Sequence, residues 1–205
     1  MTARFVYWMN VSLDLKIERA PGEEGDGDWL RIDEKLHREF NARAARMSMM
    51  VEGRKIYEIM EPYWPAASRD ASAPDYLREY GEIWTRVPKV LVSRTRTSAD
   101  HNTRIIGGGR STETVIEQLG MLRAEQEGDI GVGGATLATQ LLREGLLDEL
   151  LLFTHPVVLG EGRPLFDPPA SGERVQPVQL DLLEQKSFDQ GVTMHRYAVR
   201  GAQKP

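Results

Sequence analysis

Apolar runs of strand length alternate along this chain with apolar stripes of helical spacing, and each change of rhythm predicts an element. Residues 4–11 (RFVYWMNV) are rich in aromatic and β-branched side chains and close on polar ones, which predicts a buried first strand. After the acidic, glycine-rich loop RAPGEEGDGDW, apolar residues recur from Ile32 at Leu36, Phe40, Ala44 and Met47, the spacing of a helix with one inward stripe. MSMMVEG predicts a second buried strand that runs into RKIYEIM, a short helix ending before Pro62. The proline- and alanine-rich EPYWPAASRDASAP has no period and is expected to be a loop. DYLREYGEIWTRV restores the helical rhythm, and PKVLVSRT and TRIIGGG predict two further strands.

STETVIEQLGMLRAEQ has a hydroxyl cap and an early glutamate, the signature of a helix start. DIGVGG then predicts a strand, ATLATQLLREG a helix ending at a glycine, and DELLLFTHPVVLG a long apolar strand. Beyond the loop GEGRPLFDPPASGE, the alternating runs VQLDLLEQKSF and VTMHRYAV, joined by DQG, predict a terminal hairpin. Strands alternating with helices imply an α/β fold with an open, mostly parallel central sheet and an antiparallel C-terminal pair. The length of 205 residues suits a single domain over 1–205.

Composition narrows the function. The net charge of -5 is spread along the chain, which argues against nucleic acid as a partner. The absence of cysteine excludes disulfides, thiol nucleophiles, iron–sulfur clusters and cysteine-based zinc sites. The four histidines have no metal-ligand spacing, so no metal is expected. His37 opens an HRE that mimics the H-x-E of zinc deaminases, but without cysteine that site cannot be built, and His37 is assigned to the substrate side instead. His155 and His195 read as structural or surface residues. No apolar stretch approaches the roughly 20 residues of a membrane span, and the first residues lack a secretory pattern, so the expected compartment is the cytoplasm.

In open parallel sheets ligands lie beyond the carboxyl ends of the strands, and three such ends are chemically unusual here: EGRKIY, VSRT and GVGGATL. Gly133 and Gly134 put a backbone without Cβ at a helix start, where free N–H groups and the helix dipole favour an anion. Taken alone, the pair fits a plain turn equally well, and Thr136 stands where a Rossmann motif has its third glycine. Gly53 and Arg54 repeat the arrangement at a second strand end. Ser93, Arg94 and Thr95 add hydroxyls and a guanidinium at a third, a set suited to a phosphate monoester.

NVSLD, EGRKIYEIM, YWP, PKVLVSRT and IGVGGATLATQLLREGLLDELLLFTHPVVLGEGRPLF occur in an order that resembles the dihydrofolate reductase-like superfamily. The closer resemblance is to the branch holding the reductase domain of bacterial riboflavin biosynthesis and its stand-alone relatives. It implies a three-layer fold with helices on both faces of the sheet and NADPH extended across the strand ends. By that resemblance Gly53, Arg54, Lys55 and Ile56 start a helix against the cofactor phosphates, and Ser93, Arg94 and Thr95 hold the 2′-phosphate. Val132, Gly133, Gly134, Ala135, Thr136 and Leu137 wrap the diphosphate, and Met9 lies near the nicotinamide with Ile17 closing over it.

On the substrate side the resemblance places Asn10 and Thr154, and Trp29 with the YWP at Tyr63 borders the cleft, where one ring can stack on a flat substrate. Two acids compete for the catalytic position. A gapless count from Trp29 reaches Glu34, whereas helical phase puts Asp33 on the apolar stripe of Leu36 and Phe40, with aspartate at a helix start equally explained as a cap. The first loop departs from the family's Ser-Leu-Asp-Gly pattern, with Leu15 for glycine and Lys16 for an aromatic residue. The expectation is an NADPH-dependent reductase, with hydride passing to a C=N or C=O bond of a pterin- or pyrimidine-like ring, in a homodimer. The alternative is an NADP-binding or oligomeric module that has lost turnover.

Overall fold

A computed structural model describes residues 2–20, 27–172 and 176–201; part of the predicted acidic loop and Glu173 lie outside the described residues. The first half of the chain holds β1 (Arg4–Ser12), β2 (Lys16–Glu18), α1 (Glu34–Ala44), β3 (Met47–Gly53), α2 (Arg54–Arg69), α3 (Asp75–Arg86), β4 (Lys89–Val92) and β5 (Thr103–Ile106). The second half holds α4 (Thr112–Glu125), β6 (Asp129–Gly133), α5 (Ala135–Arg143), β7 (Leu147–His155), β8 (Arg163–Pro164), β9 (Leu180–Ser187) and β10 (Thr193–Val199).

Among the described residues, eight strands form one sheet in the order β5-β4-β3-β6-β1-β7-β10-β9. The first six are parallel to one another, and β10 and β9 join antiparallel as the expected hairpin. Alternation along the strands sends side chains to two separate cores. Phe5, Tyr7, Met49, Val51 and Val90 pack under α4 and α5, through residues such as Leu119 and Leu141. On the other face Val6 packs under α1 through Leu36 and Phe40, while Met50 and Leu91 lie under α2 and α3 through Tyr57 and Trp84. The result is three layers, as expected. No helix of the described residues is long and apolar enough to cross a membrane.

The largest correction concerns α2, which does not stop before Pro62 but continues through Pro62 and Pro65 to Arg69. Each interior proline removes one helical hydrogen bond and crowds the preceding turn, at about 3 kcal/mol in an isolated helix. Packing offsets this. Tyr57, Met60, Trp64 and Ala67 recur at helical spacing; the first three pack into the cluster under α3, Ala67 is buried, and the Trp64 ring lies 4.3 Å from that of Tyr80. Met47 opens β3 rather than closing α1, and Ile32 precedes the helix, exposed. The strand expected through residue 160 ends at His155, and the small sheet of β2 with β8 has no counterpart in the sequence pattern.

Candidate functional site

The strand ends that looked unusual in the sequence meet at one edge, because β4, β3 and β6 are neighbours and Glu52 pairs with Gly133 while Gly53 pairs with Val92. Two adjoining cavities open there, of about 450 Å³ and about 900 Å³. Met9, Ile17 and Ile56 belong to the walls of both.

The smaller cavity is lined by two helix starts and a group of cations. Gly53 is the N-cap of α2 and Gly134 the N-cap of α5, and neither helix start is satisfied by a side-chain cap. Gly134 takes φ +105, in the left-handed region, and a Cβ there would lie 3.8 Å from the Gly53 backbone, so the two helix N-termini converge. Arg54, Lys55, Arg94, Arg110 and Arg163 line the same space, against Glu18. Arg54 is paired with Glu58 at 2.7 Å and Arg163 with Asp167, while Lys55 and Arg94 have no side-chain partner among the described residues. A cluster of cations on a chain of net charge -5 focuses positive potential on one cleft. Ser93 is buried and its Oγ accepts from the Arg96 N–H at 3.0 Å, which shapes the turn carrying Arg94 and Thr95. Ala135, Thr136 and Leu137 line this cavity as well, whereas Val132 and Gly133 line the larger one.

The larger cavity is walled by rings. Trp8, Trp29, Tyr63, Trp64, Tyr76 and Tyr80 line it, and polar side chains are few. Asn10 is one, and its orientation is fixed from behind. The Arg31 N–H donates to His155 Nδ1 at 2.9 Å, so the proton of neutral His155 sits on Nε2 and is donated to Asn10 Oδ1 at 3.0 Å. The Asn10 amide N–H groups are thereby left to the cavity. Burial, with the Arg31 charge, pushes the His155 imidazole down to about 4, so it stays neutral.

His37 is held similarly. Asn41 Nδ2 donates to Tyr76 O at 2.8 Å and Glu79 Oε2 at 2.6 Å, so Asn41 Oδ1 accepts from His37 Nδ1 at 3.1 Å and leaves Nε2 as an acceptor. Burial lowers its pKa.

The remaining candidates lie elsewhere. Thr154 sits in β7 between Val11 and Thr193 and lines neither cavity. Asp33 is the N-cap of α1, accepting from the Leu36 N–H at 2.8 Å, and that bond holds its carboxyl below the usual range. Glu34 is exposed and paired with Arg38 at 2.9 Å. Neither acid lines a cavity. Leu15, standing for the motif's glycine, takes φ +58 and so keeps the left-handed turn, at about 1–2 kcal/mol.

Three acids do line the larger cavity: Glu18 is exposed, Glu58 is paired with Arg54, and the buried one is Glu52, which the sequence pattern did not single out. It is 6% exposed, its Oε1 accepts from Trp84 Nε1 at 3.4 Å, and its Oε2 has no partner among the described residues. Burial pushes its carboxyl up to about 7, against the pull of the Trp84 hydrogen bond and the Lys89 charge. A buried polar atom left unmatched costs about 1–3 kcal/mol, which an apolar residue would avoid. The signal was present: a glutamate on the same face as Met50, in a strand whose other buried residues are all apolar. Arg110 and Arg163 were also missed, since Arg110 lies in the loop after β5 and Arg163 in the short β8, both remote in sequence from the three strand ends.

Comparison with known proteins follows the fold. The chain is 30% identical over 199 residues to the Bacillus subtilis protein YyaP, covering 97% of this chain and 96% of that one. A solved pyrimidine reductase-like protein from Corynebacterium diphtheriae superposes with TM-score 0.61 at 14% identity, covering 96% of this chain and 91% of the other. A diaminohydroxyphosphoribosylaminopyrimidine deaminase/5-amino-6-(5-phosphoribosylamino)uracil reductase from Thermotoga maritima superposes with TM-score 0.61 at 15% identity, over 97% of this chain but 57% of that longer one. Residues 5–194 match the model of one family end to end across the sheet, and the chain belongs to the RibD C-terminal domain family.

Proposed function

We propose that this protein is an NADPH-dependent reductase of a small, flat heterocycle. The observation carrying the reading is the convergence of two uncapped helix N-termini with partnerless Lys55 and Arg94, in a cleft continuous with a ring-walled cavity. Gly53, Gly134 and the first turns of α2 and α5 would hold a diphosphate, and Arg94 with Thr95 a further phosphate. NADPH, when bound, supplies the hydride for reduction of a C=N or C=O bond. The protein's own part is to seat the ring between aromatic walls, to offer it the Asn10 amide donors and the His37 Nε2 acceptor, and to exclude water. The printed names of the Corynebacterium and Thermotoga relatives, a pyrimidine reductase-like protein and a uracil reductase, support a pyrimidine-like substrate.

Quenching of tryptophan fluorescence on titration with NADPH and NADH tests the reading. NADPH is expected to bind tenfold or more tightly than NADH, and Arg94→Ala to remove most of that preference. Loss of one charge-assisted phosphate contact of about 1.5–3 kcal/mol corresponds to roughly a ten- to hundredfold weakening. Absence of binding by either dinucleotide would sink the assignment.

The same reading includes a homodimer. Leu180, Leu182 and Leu183 are exposed on β9, the outer strand of the sheet. Light scattering should return twice the chain mass, and a monomer mass across a concentration series refutes it.

A further inference from the structure

Glu52 is a buried carboxyl on the wall of the larger cavity with one oxygen unmatched. Its position follows from register: it pairs with Gly133, and its Cγ lies 3.6 Å from where a Gly133 Cβ would stand, so it sits at the junction of the two cavities. The cavity's other acids differ from it, Glu18 being exposed and Glu58 paired with Arg54 at 2.7 Å, while Asp33 caps α1 and Glu34 pairs with Arg38 on the surface. His37 is fixed with its proton on Nδ1, toward Asn41, and offers the cavity an acceptor rather than a donor.

We propose that Glu52 is the proton donor of this site, protonating the ring nitrogen of a C=N bond as the adjacent carbon is reduced. The inference rests on the reductase reading above. The balance is simple: the ring carbon gains a hydride from the dihydronicotinamide cofactor, and the C=N π pair moves to nitrogen. There it takes the carboxyl proton, and the Glu52 O–H bond breaks as the new N–H bond forms. Glu52 is left as a carboxylate, to be reprotonated from solvent.

The surroundings suit both forms. From α3, Trp84 donates to Oε1 and Tyr80 faces the group as a neutral phenol, its pKa raised by burial and by the Glu52 charge. At the start of β4, Lys89 is buried with its Nζ donating to Trp84 O and Val87 O, so its charge is near the carboxylate without capturing it in an ion pair. Burial keeps the proton on up to about neutral pH, and Lys89 steadies the charge once it leaves.

The experiment compares wild type, Glu52→Gln and Glu52→Asp. NADPH oxidation is followed with 7,8-dihydropterin and with aminopyrimidine ribosides, and infrared difference spectra are recorded across pH without substrate. Glu52→Gln is expected to lower kcat by roughly a hundred- to ten-thousandfold with NADPH affinity unchanged, and to abolish the limb of the pH profile near neutrality. Glu52→Asp, which also serves if the glutamine variant fails to fold, should recover part of the rate together with its pH dependence. A carboxylic-acid band that titrates near neutral pH in wild type and is missing from Glu52→Gln supports the assignment. Wild-type kcat and pH profile in Glu52→Gln overturn it, as does a band already lost well below neutral pH. Failure to bind NADPH overturns the reductase reading instead, and the infrared band still decides whether Glu52 holds its proton.

Discussion

Glu52→Gln is expected to turn a shallow stability profile between pH 4.5 and 6.5 into one that falls by about 3 kcal/mol on acidification. Two buried groups oppose each other in this window. Glu52 has its pKa raised from 4.5 to about 7, so between those values the folded state keeps a proton that the unfolded state has lost, and stability falls as pH rises. His155 has its pKa lowered from 6.5 to about 4, so the unfolded state binds the proton there and stability falls as pH drops. Each contributes about 1.4 kcal/mol per pH unit, with opposite sign. His37, also lowered by burial, adds to the histidine side. Lys89 is lowered only to about 8 and remains a cation throughout, and Asp14, lowered to about 2, titrates below the window.

Removing one member of the pair exposes the other. Glu52→Gln leaves the histidines and should gain stability steadily from pH 4.5 to 6.5, while His155→Asn should lose it over the same interval. Urea unfolding at half-unit pH steps reads both slopes. Parallel profiles in wild type and Glu52→Gln would mean that Glu52 ionises at its ordinary pKa inside the fold.

Gly81→Ala is expected to destabilise the protein by about 2 kcal/mol, although helix propensity alone predicts a gain of about 1 kcal/mol for replacing a glycine inside α3. A Cβ at Gly81 would stand 2.4 Å from Trp64 O and 2.9 Å from the Ser68 backbone nitrogen. Backbone atoms of a packed helix cannot yield as a flexible side chain does, and overpacking of this kind costs about 1–3 kcal/mol beyond the propensity gain. Relief comes only from moving α2 away from α3. That would part Trp64 from Tyr80, whose rings line the larger cavity. Thermal unfolding should show Tm lower by about 4–8 °C. A raised Tm would show that the two helices do not approach this closely.

The two predictions mark where the sequence was legible and where it was not. Period 2 and period 3.6 patterns are local, so β1, β3, β6, α4 and α5 appear where the spacing put them. Proline punctuation is local too, and there it misled: Pro62 and Pro65 read as breakers, but the aromatic face of α2 on α3 outweighs the two lost hydrogen bonds. Glycine carried two different meanings. At Gly134 the need for φ +105 was foreshadowed by its place between strand and helix, whereas at Gly81 the reason is a neighbouring backbone that only the packed fold brings near.

The site divides along the same line. Glycines and cations at strand ends are chemistry written in consecutive residues, and a parallel sheet must gather its carboxyl ends on one edge, so their meeting in one cleft followed from the sequence by itself. The acid did not. Asp33 was selected by helical phase and Glu34 by a count from Trp29, and neither says what else competes for their oxygens; in the fold, the Leu36 N–H and Arg38 occupy them. Burial raises the Glu52 pKa, against Trp84 and Lys89, which lie more than 30 residues away along the chain. Desolvation depends on surroundings in space, so the sequence determined the layers, the sheet and the edge that gathers its glycines and cations, and only the tertiary structure decided which carboxyl is left buried and unmatched among the described residues.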